Sequence, residues 1–427
     1  MSQPQTNSKA QSRLIGSRDV FALGLNGVVG SGIFFLPSVG DKLLGPAAVV
    51  ATIIAGLLAW LIASAFSVVS SDYQRNGGAY VYARDQFGRY VGFHVGWMTW
   101  FVAVTSWGAL LNALFLAVEG LFPAFADTAL RNTGMVVLVG ALTLLNIRGL
   151  QWGAWVSTIL TVLKVAPLIL LALAGWTEVS FDHVSHFAPR GWSGLGDATL
   201  LILYAYVGFE SLVVPAAEIK GSRALLPRVL PILIAFVAVL YSALQVICIG
   251  TLDGLAERAN PISDSASVVF GEGVGALFVT VSIISVLGVN AGAARVQPRR
   301  LSALAAEGDA PRLLGRIHPV YQTPYIAVVV TAVAALGFGL SGSFKELALL
   351  SVVARFVQYL PTCWVAFRKA GQEPVRHSVR LKSLVAIVVS VALLFNADPA
   401  KLIAGLAGLV VLSVVYALRE LRVRQSG

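Results

Sequence analysis

Twelve apolar stretches, each close to the length that crosses a hydrocarbon layer, follow one another through this chain. A helix needs about 20 mostly apolar residues to span a bilayer. The stretches fall at about 20–43, 47–70, 93–121, 132–147, 153–175, 196–218, 228–252, 268–294, 324–341, 345–367, 381–396 and 399–418. The segments between them are mostly short, and polar or rich in Gly and Pro. Apolar residues make up 57% of the chain and charged ones 12%, and the mean hydropathy is +0.79, outside the balance of water-soluble domains. The expected fold class is an all-α integral membrane protein of twelve transmembrane helices, with the lipid bilayer as its first partner.

A net charge of +10 would by itself suit nucleic acid, but its distribution does not. With both termini inside, 23 of the 31 Lys and Arg residues fall on inner segments and 6 on outer ones. Lys164 and Arg355 are left in mid-span. That asymmetry is the positive-inside pattern of a cell (inner) membrane protein with cytoplasmic termini, and no nucleic-acid partner is expected. Residues 1–19 are polar and lack a signal-peptide core, so the first span is expected to stay in the mature protein. The two cysteines, Cys248 and Cys363, both lie in apolar stretches and suggest no disulfide framework.

Two of the stretches are poorly made for continuous helices. The first contains Gly27-Val28-Val29-Gly30-Ser31-Gly32-Ile33-Phe34-Phe35-Leu36-Pro37. Each glycine costs about 1 kcal/mol against alanine within a helix. The alternative reading of this run is a small-residue seam for close helix packing. The sixth stretch contains Tyr204-Ala205-Tyr206-Val207-Gly208-Phe209-Glu210-Ser211, then Pro215. Gly30 and Gly208 stand 178 residues apart. If spans one to five (20–175) and six to ten (196–367) form two repeats, each begins with an interrupted helix. Five is odd, so the second repeat is inverted in the membrane. Paired interruptions of this kind point to a transporter site at the repeat interface. Spans eleven and twelve (381–418) then read as peripheral helices, available as an oligomer face, followed by a cytoplasmic tail at 419–427.

Charged groups in mid-span are functional candidates. Lys164 lies about eleven residues into the fifth stretch, beyond easy snorkelling. Its ammonium is expected to bond backbone carbonyls near Val29 and Gly30 and a hydroxyl of the eighth span, Ser285. There it either shuttles a proton or acts as a fixed substitute for a bound cation. Glu210 reads as a structural or gating carboxyl group. For Arg355 three places are open: a gate contact, a partner for Glu210, or a site for an acidic substrate. Thr105 and Ser106 in the third span are expected to bond neighbouring helices. The loop from Arg75 through Gly77-Gly78 to Tyr82 is expected to form a short interfacial helix or a turn.

Other chemistry is missing. His183 and His186 share an outer loop without a cysteine and make a poor metal site. Gly271-Glu272-Gly273-Val274-Gly275-Ala276 matches a dinucleotide fingerprint in form, but no strand precedes it. No Walker A sequence and no ordered catalytic set are present, so neither a cofactor, a metal nor an enzyme activity is expected.

At these residues the chain resembles the amino acid–polyamine–organocation transporter superfamily. The match runs through Gly30-Ser31-Gly32-Ile33-Phe34 with Pro37, Gly77-Gly78-Ala79-Tyr80 with Tyr82, Tyr204 to Glu210 with Ala217-Glu218, and Pro298 to Ala310 with Pro324. The resemblance implies a 5+5 inverted repeat with helices one and six interrupted. It implies an amino acid whose carboxylate meets the N–H groups around Ser31 and Gly32. The amino group would meet carbonyls near Val28, Val29, Tyr204, Ala205 and Val207, with Tyr206 and Gly208 completing the wall. It also implies that the Lys164 ammonium stands where sodium-coupled relatives hold sodium. Asn26-Gly27 and Ala205 depart from some members, so side-chain preference does not carry over.

The expected function is secondary active transport of a neutral L-amino acid by proton symport. Exchange, carriage of cationic amino acids or polyamines, and a non-transporting sensor are the alternatives. The topology is testable alone: in intact cells, an impermeant thiol reagent should label Arg190→Cys and Lys345→Cys. Labelling of Arg84→Cys or Arg300→Cys from outside would overturn it.

Overall fold

The computed structural model describes residues 17–74, 76–149, 154–184, 186–371, 377–397 and 399–425, and everything below concerns these. Most of the N-terminal segment 1–19, Arg75, the first residue of the 153–175 stretch and the last two residues of the tail lie outside them. The described residues are helical, with turns and short 3-10 segments between helices. In chain order the helices are α1 (Ser17–Val28), α2 (Gly32–Leu44), α3 (Ala48–Ser70), α4 (Ala79–Phe87), α5 (Arg89–Glu119), α6 (Thr128–Ile147), α7 (Ala154–Ala174), α8 (Leu195–Tyr206), α9 (Ser222–Thr251), α10 (Pro261–Phe270), α11 (Glu272–Ala306), α12 (Tyr325–Ser341), α13 (Phe344–Gly371), α14 (His377–Phe395) and α15 (Pro399–Gln425). Eight segments are long and apolar enough to cross a membrane, and Leu195–Tyr206, Tyr325–Ser341 and Gly405–Arg419 are shorter apolar helices. The chain folds as an all-helical integral membrane protein.

Its packing is organised on α3 and α5. Helix α3 lies against α8, α9 and α13, while α5 lies against α11, α12 and α13. The broken pair α1 and α2 fills the space between: α1 touches α7, α9 and α11, and α2 touches α8 and α10. Large apolar side chains such as Val137, Leu173, Val239 and Phe395 point outward. In water that surface would be a liability, and in hydrocarbon it needs no partner.

Two stretches differ from the sequence expectation in where their helices begin or end. The stretch 196–218 is not one helix: α8 ends at Tyr206, and a 3-10 turn follows at Phe209–Val213. The stretch 268–294 begins late and ends late. Gly271, at φ 94°, separates α10 from α11, and α11 continues to Ala306. Arg295 to Ala306 is rich in Arg, Leu and Ala, good helix formers that prolong the helix past its apolar part. Arg300 is therefore a helix residue, its guanidinium donating to Gln297 (3.0 Å) and Ser211 (3.2 Å). The exposed Arg316 in the next loop is a more open labelling position. The Gly77-Gly78 loop yields the expected short helix, α4, and its Ala79–Ala83 side is buried under the bundle.

What pins α4 is the side chain of Asp309, fully removed from solvent. Its two oxygens accept from Tyr80 (2.7 Å), Arg419 (2.8 Å), Arg89 (3.3 Å) and Arg84 (3.4 Å), and Trp97 donates to its carbonyl (3.1 Å). One carboxylate thus ties α4, α5 and α15 to the end of α11. Burial, and after it the Asp309 carboxylate, push the Tyr80 phenol upward, which keeps it a neutral donor. Asp309→Asn keeps the size and loses the charge. It should lower stability by about 2 kcal/mol, the range of hydrogen bonds to charged groups. The drop should appear as an earlier unfolding midpoint in detergent.

Candidate functional site

Both interrupted segments break where their glycines cluster. Helix α1 ends at Val28 and α2 starts at Gly32, leaving Val29 to Ser31 between them. Val29 N–H still donates to Leu25 (2.8 Å), and Gly30 N–H to Val28 (2.8 Å). The first N–H groups of α2 have no intrahelical acceptor, as at any helix start. In the other segment, Val207 is extended and Gly208 takes φ 114°, which an L side chain adopts only under strain. The two breaks cross. A Cβ on Gly208 would run into the Gly27 carbonyl, and one on Gly32 would come 2.5 Å from Ala205 Cα.

Each break is held by a buried charge. Lys164 on α7 is wholly buried, and its Nζ donates to the carbonyls of Val29 (2.6 Å) and Asn26 (2.8 Å). Ser285 on α11 donates to the same Val29 carbonyl (3.4 Å). The expected lysine–serine contact is thus indirect, through a shared acceptor, and the second carbonyl belongs to Asn26 rather than Gly30. At the other break the Glu210 carboxylate accepts from Gly208 N–H (2.9 Å), Arg355 Nε (3.0 Å) and Tyr359 OH (3.3 Å). The two terminal nitrogens of Arg355 reach the Ser106 hydroxyl at 2.9 and 3.3 Å. Of the three places open to Arg355, the structure puts it beside Glu210. A buried pair this well hydrogen-bonded loses about 3–5 kcal/mol when one partner is removed.

Between the breaks lies a cavity of about 190 Å³. It runs from Ser31, Gly32 and Tyr204 along α1 to Val20, with α11 (Val289, Gly292, Gln297) on the facing side. At the opposite end it is shut. The Phe344 ring stands edge-on to Phe35 (5.8 Å) and Tyr204 (5.6 Å), and Ser38 donates to the Arg258 carbonyl (2.7 Å). The cavity thus extends toward the N-terminal half of α1, and these contacts close the side beyond α2.

Of the residues expected to bind substrate, Val28, Gly30, Ser31, Gly32, Tyr204, Val207 and Gly208 line this cavity. Val29, Ala205 and Tyr206 do not. The carbonyl of Val29 is occupied by Lys164, and Ala205 is the seat of Gly32. Tyr206 turns away, its hydroxyl donating to the Thr52 carbonyl (3.1 Å) and its ring lying 5.2 Å from Tyr241. Sequence reasoning missed Asn26 and Gln297, which also line the cavity, and left Ser106 as a helix-packing hydroxyl. The spacing of Gly288 and Gly292, one turn apart on α11, was the available signal for a close approach there. Among the described residues no three His, Cys, Asp or Glu side chains gather to hold a metal ion.

Two crossed helix breaks around a central cavity, in an all-helical membrane protein, define a solute transporter of the broken-helix type. The family description "Amino acid permease" matches residues 15–417, and the chain belongs to that family, within the amino acid–polyamine–organocation superfamily. An uncharacterized transporter of Mycobacterium tuberculosis is 31% identical over 92% of this chain and 89% of its own length. The methylthioribose transporter of Bacillus subtilis is 25% identical over 82% and 80%. A branched-chain amino acid permease of the same organism is 25% identical over 75% and 73%.

The backbone at Gly208 gives a direct test. Gly208→Ala should destabilise by at least about 2 kcal/mol, from left-handed strain together with the Gly27 clash. The control Gly140→Ala, inside α6 with nothing within 4 Å of its Cβ, should leave the unfolding midpoint no lower and, as a better helix former, raise it slightly.

Proposed function

We propose that this protein is a secondary transporter that carries a neutral, zwitterionic L-amino acid across the cell membrane by alternating access, coupled to protons. The observation that carries this reading is the pair of crossed breaks at one cavity. The start of α2 offers unpaired N–H groups and a positive dipole end to a carboxylate. The ends of α1 and α8 offer carbonyls to an ammonium a few ångströms away. A zwitterion is the solute that needs both.

Neutrality of the side chain is supported by the lining. No Asp or Glu lines the cavity, and the nearby Glu210 is engaged by Arg355, Tyr359 and Gly208. A cationic amino acid or polyamine would lose its hydration there without meeting a free carboxylate. The walls, with Leu110, Val207, Val289 and the Tyr204 ring, are mostly apolar and suit an apolar or small polar side chain. Arg355 is charge-balanced by Glu210, and the pair acts as a gate contact that fastens the second break to α13 and α5.

In this reading the twelve spans form a 5+5 inverted repeat, 20–175 and 196–367, with α14 and α15 outside it. Those two helices offer their outward faces to lipid or to a second copy. With both termini in the cytoplasm, the cavity faces inward. Lys164 holds the carbonyl end of α1 as a bound cation would. The Lys164 bonds are intact in this inward-facing arrangement, so loss of its proton would act there, weakening its hold on the two carbonyls, loosening α1 further and so linking proton movement to substrate movement.

Proteoliposomes with an inside-alkaline pH gradient test this. The wild type should accumulate a labelled neutral amino acid without internal substrate, and Lys164→Ala should lose that accumulation while keeping some exchange or binding. Unchanged accumulation in a well-folded Lys164→Ala protein would remove the proton role. Uptake only against internal amino acid would mean exchange, and binding without flux would mean a sensor. Arginine or putrescine outcompeting every neutral amino acid would sink the neutral substrate.

A further inference from the structure

Asn26 is half-buried, but its side-chain oxygen is sealed from solvent and nothing in the fold bonds to it. It lies two residues before the end of α1, on the cavity wall, and its main-chain carbonyl is fixed by Lys164. Its Oδ1 is buried without a hydrogen-bond partner, and no hydrogen bond of its Nδ2 is found among the described residues. Leaving a buried amide oxygen unpaired is unfavourable, and native proteins do so rarely. A leucine would fill the same volume without that penalty.

The surroundings limit what the amide can be for. Across from it, α11 has no side chain at Gly288: a Cβ there would lie 3.9 Å from Asn26 Oδ1 and 3.5 Å from Leu160. Val289 and Leu110 lie beside Gly30, at 3.8 and 3.9 Å from where its Cβ would be. Between the first break and α11 there is therefore a small, largely apolar recess with one carboxamide in its wall. A carboxamide donates and accepts at once and carries no charge. Its complement is a hydroxyl or another carboxamide, not an ion.

We propose that Asn26 reads the substrate's side chain, so that the transporter prefers amino acids bearing a hydroxyl or carboxamide to aliphatic ones of the same shape. This rests on the transport reading above and sharpens its substrate. The carboxylate and amino group are held at the breaks, and the side chain points along α1 toward Asn26. Threonine and valine are the decisive pair, since they differ only by a hydroxyl in place of a methyl group. Valine would leave the amide oxygen unpaired, and the threonine hydroxyl would satisfy it.

The test is competition between threonine and valine for uptake into proteoliposomes. The wild type should prefer threonine by roughly tenfold, the scale of one hydrogen bond to an otherwise unpaired buried group. In Asn26→Leu the ratio should fall to about one. A second variant leaves Asn26 in place. Gly288→Ser has room for its Cβ, and its hydroxyl comes within hydrogen-bonding reach of Asn26 Oδ1. By satisfying the amide from within the protein it should also lower the ratio, while Gly288→Ala should preserve it. A wild type that takes valine as readily as threonine overturns the assignment of Asn26 but leaves amino acid transport standing. The same holds if both Asn26→Leu and Gly288→Ser keep the wild-type ratio. Absence of flux for any amino acid would overturn the transport reading itself.

Discussion

The ammonium of Lys164 on the carbonyls of Asn26 and Val29 is the interaction on which this architecture depends. A helix broken inside hydrocarbon leaves backbone groups that no lipid can satisfy. Ending α1 at Val28 is tolerable only if the freed carbonyls find donors. The lysine supplies two N–H bonds from one buried group, and Ser285 adds a second donor to Val29. Neither could come from water without opening the bundle. The break, and the cavity beside it, exist because α7 and α11 carry donors at that depth.

The second break is held by the opposite charge. Its need is at a donor: Gly208 N–H, turned out of the helix by a left-handed backbone, is met by Glu210 two residues on. A lone carboxylate there would be intolerable, and Arg355, with Ser106 and Tyr359, completes it. Cation on carbonyl at one break and anion on amide at the other leave the cavity walls without an unpaired full charge. That is why the cavity suits a ligand bringing its own two charges to two partial ones. It is also why the uncharged amide of Asn26 stands out, with the Ser31 hydroxyl, as a polar group on the wall whose oxygen has no partner.

Away from the site the same rule operates at the end of the bundle. Asp309 is buried, but it is surrounded by Tyr80 and three arginines drawn from α4, α5 and α15. Helix α4 is held at that hub by its Tyr80 and Arg84. Just before it, Gly77 N–H donates to the Val214 carbonyl (2.9 Å), in the segment that follows the second break. That bond joins the segment after the second break to an element anchored at Asp309.

Sequence by itself determined the solvent, the apolar stretches, the two glycine-marked interruptions and the depth of Lys164. Each of these is local: apolar length, glycine cost and the depth of one charge are read within a single segment. Tertiary structure alone decided which face of each broken helix sees the cavity. Tyr204 lines it and Tyr206, two residues on and so on the far side of α8, does not. A helix that is apolar all round carries no hydrophobic face from which to choose between them. The pairing of Glu210 with Arg355 was among several open to the sequence, because it joins segments 145 residues apart. The extension of α11 past its apolar part, and the meeting of Asn26 with the bare backbone of Gly288, were settled in the same way. Contacts between distant segments are set by how helices pack, and no period in the sequence records them.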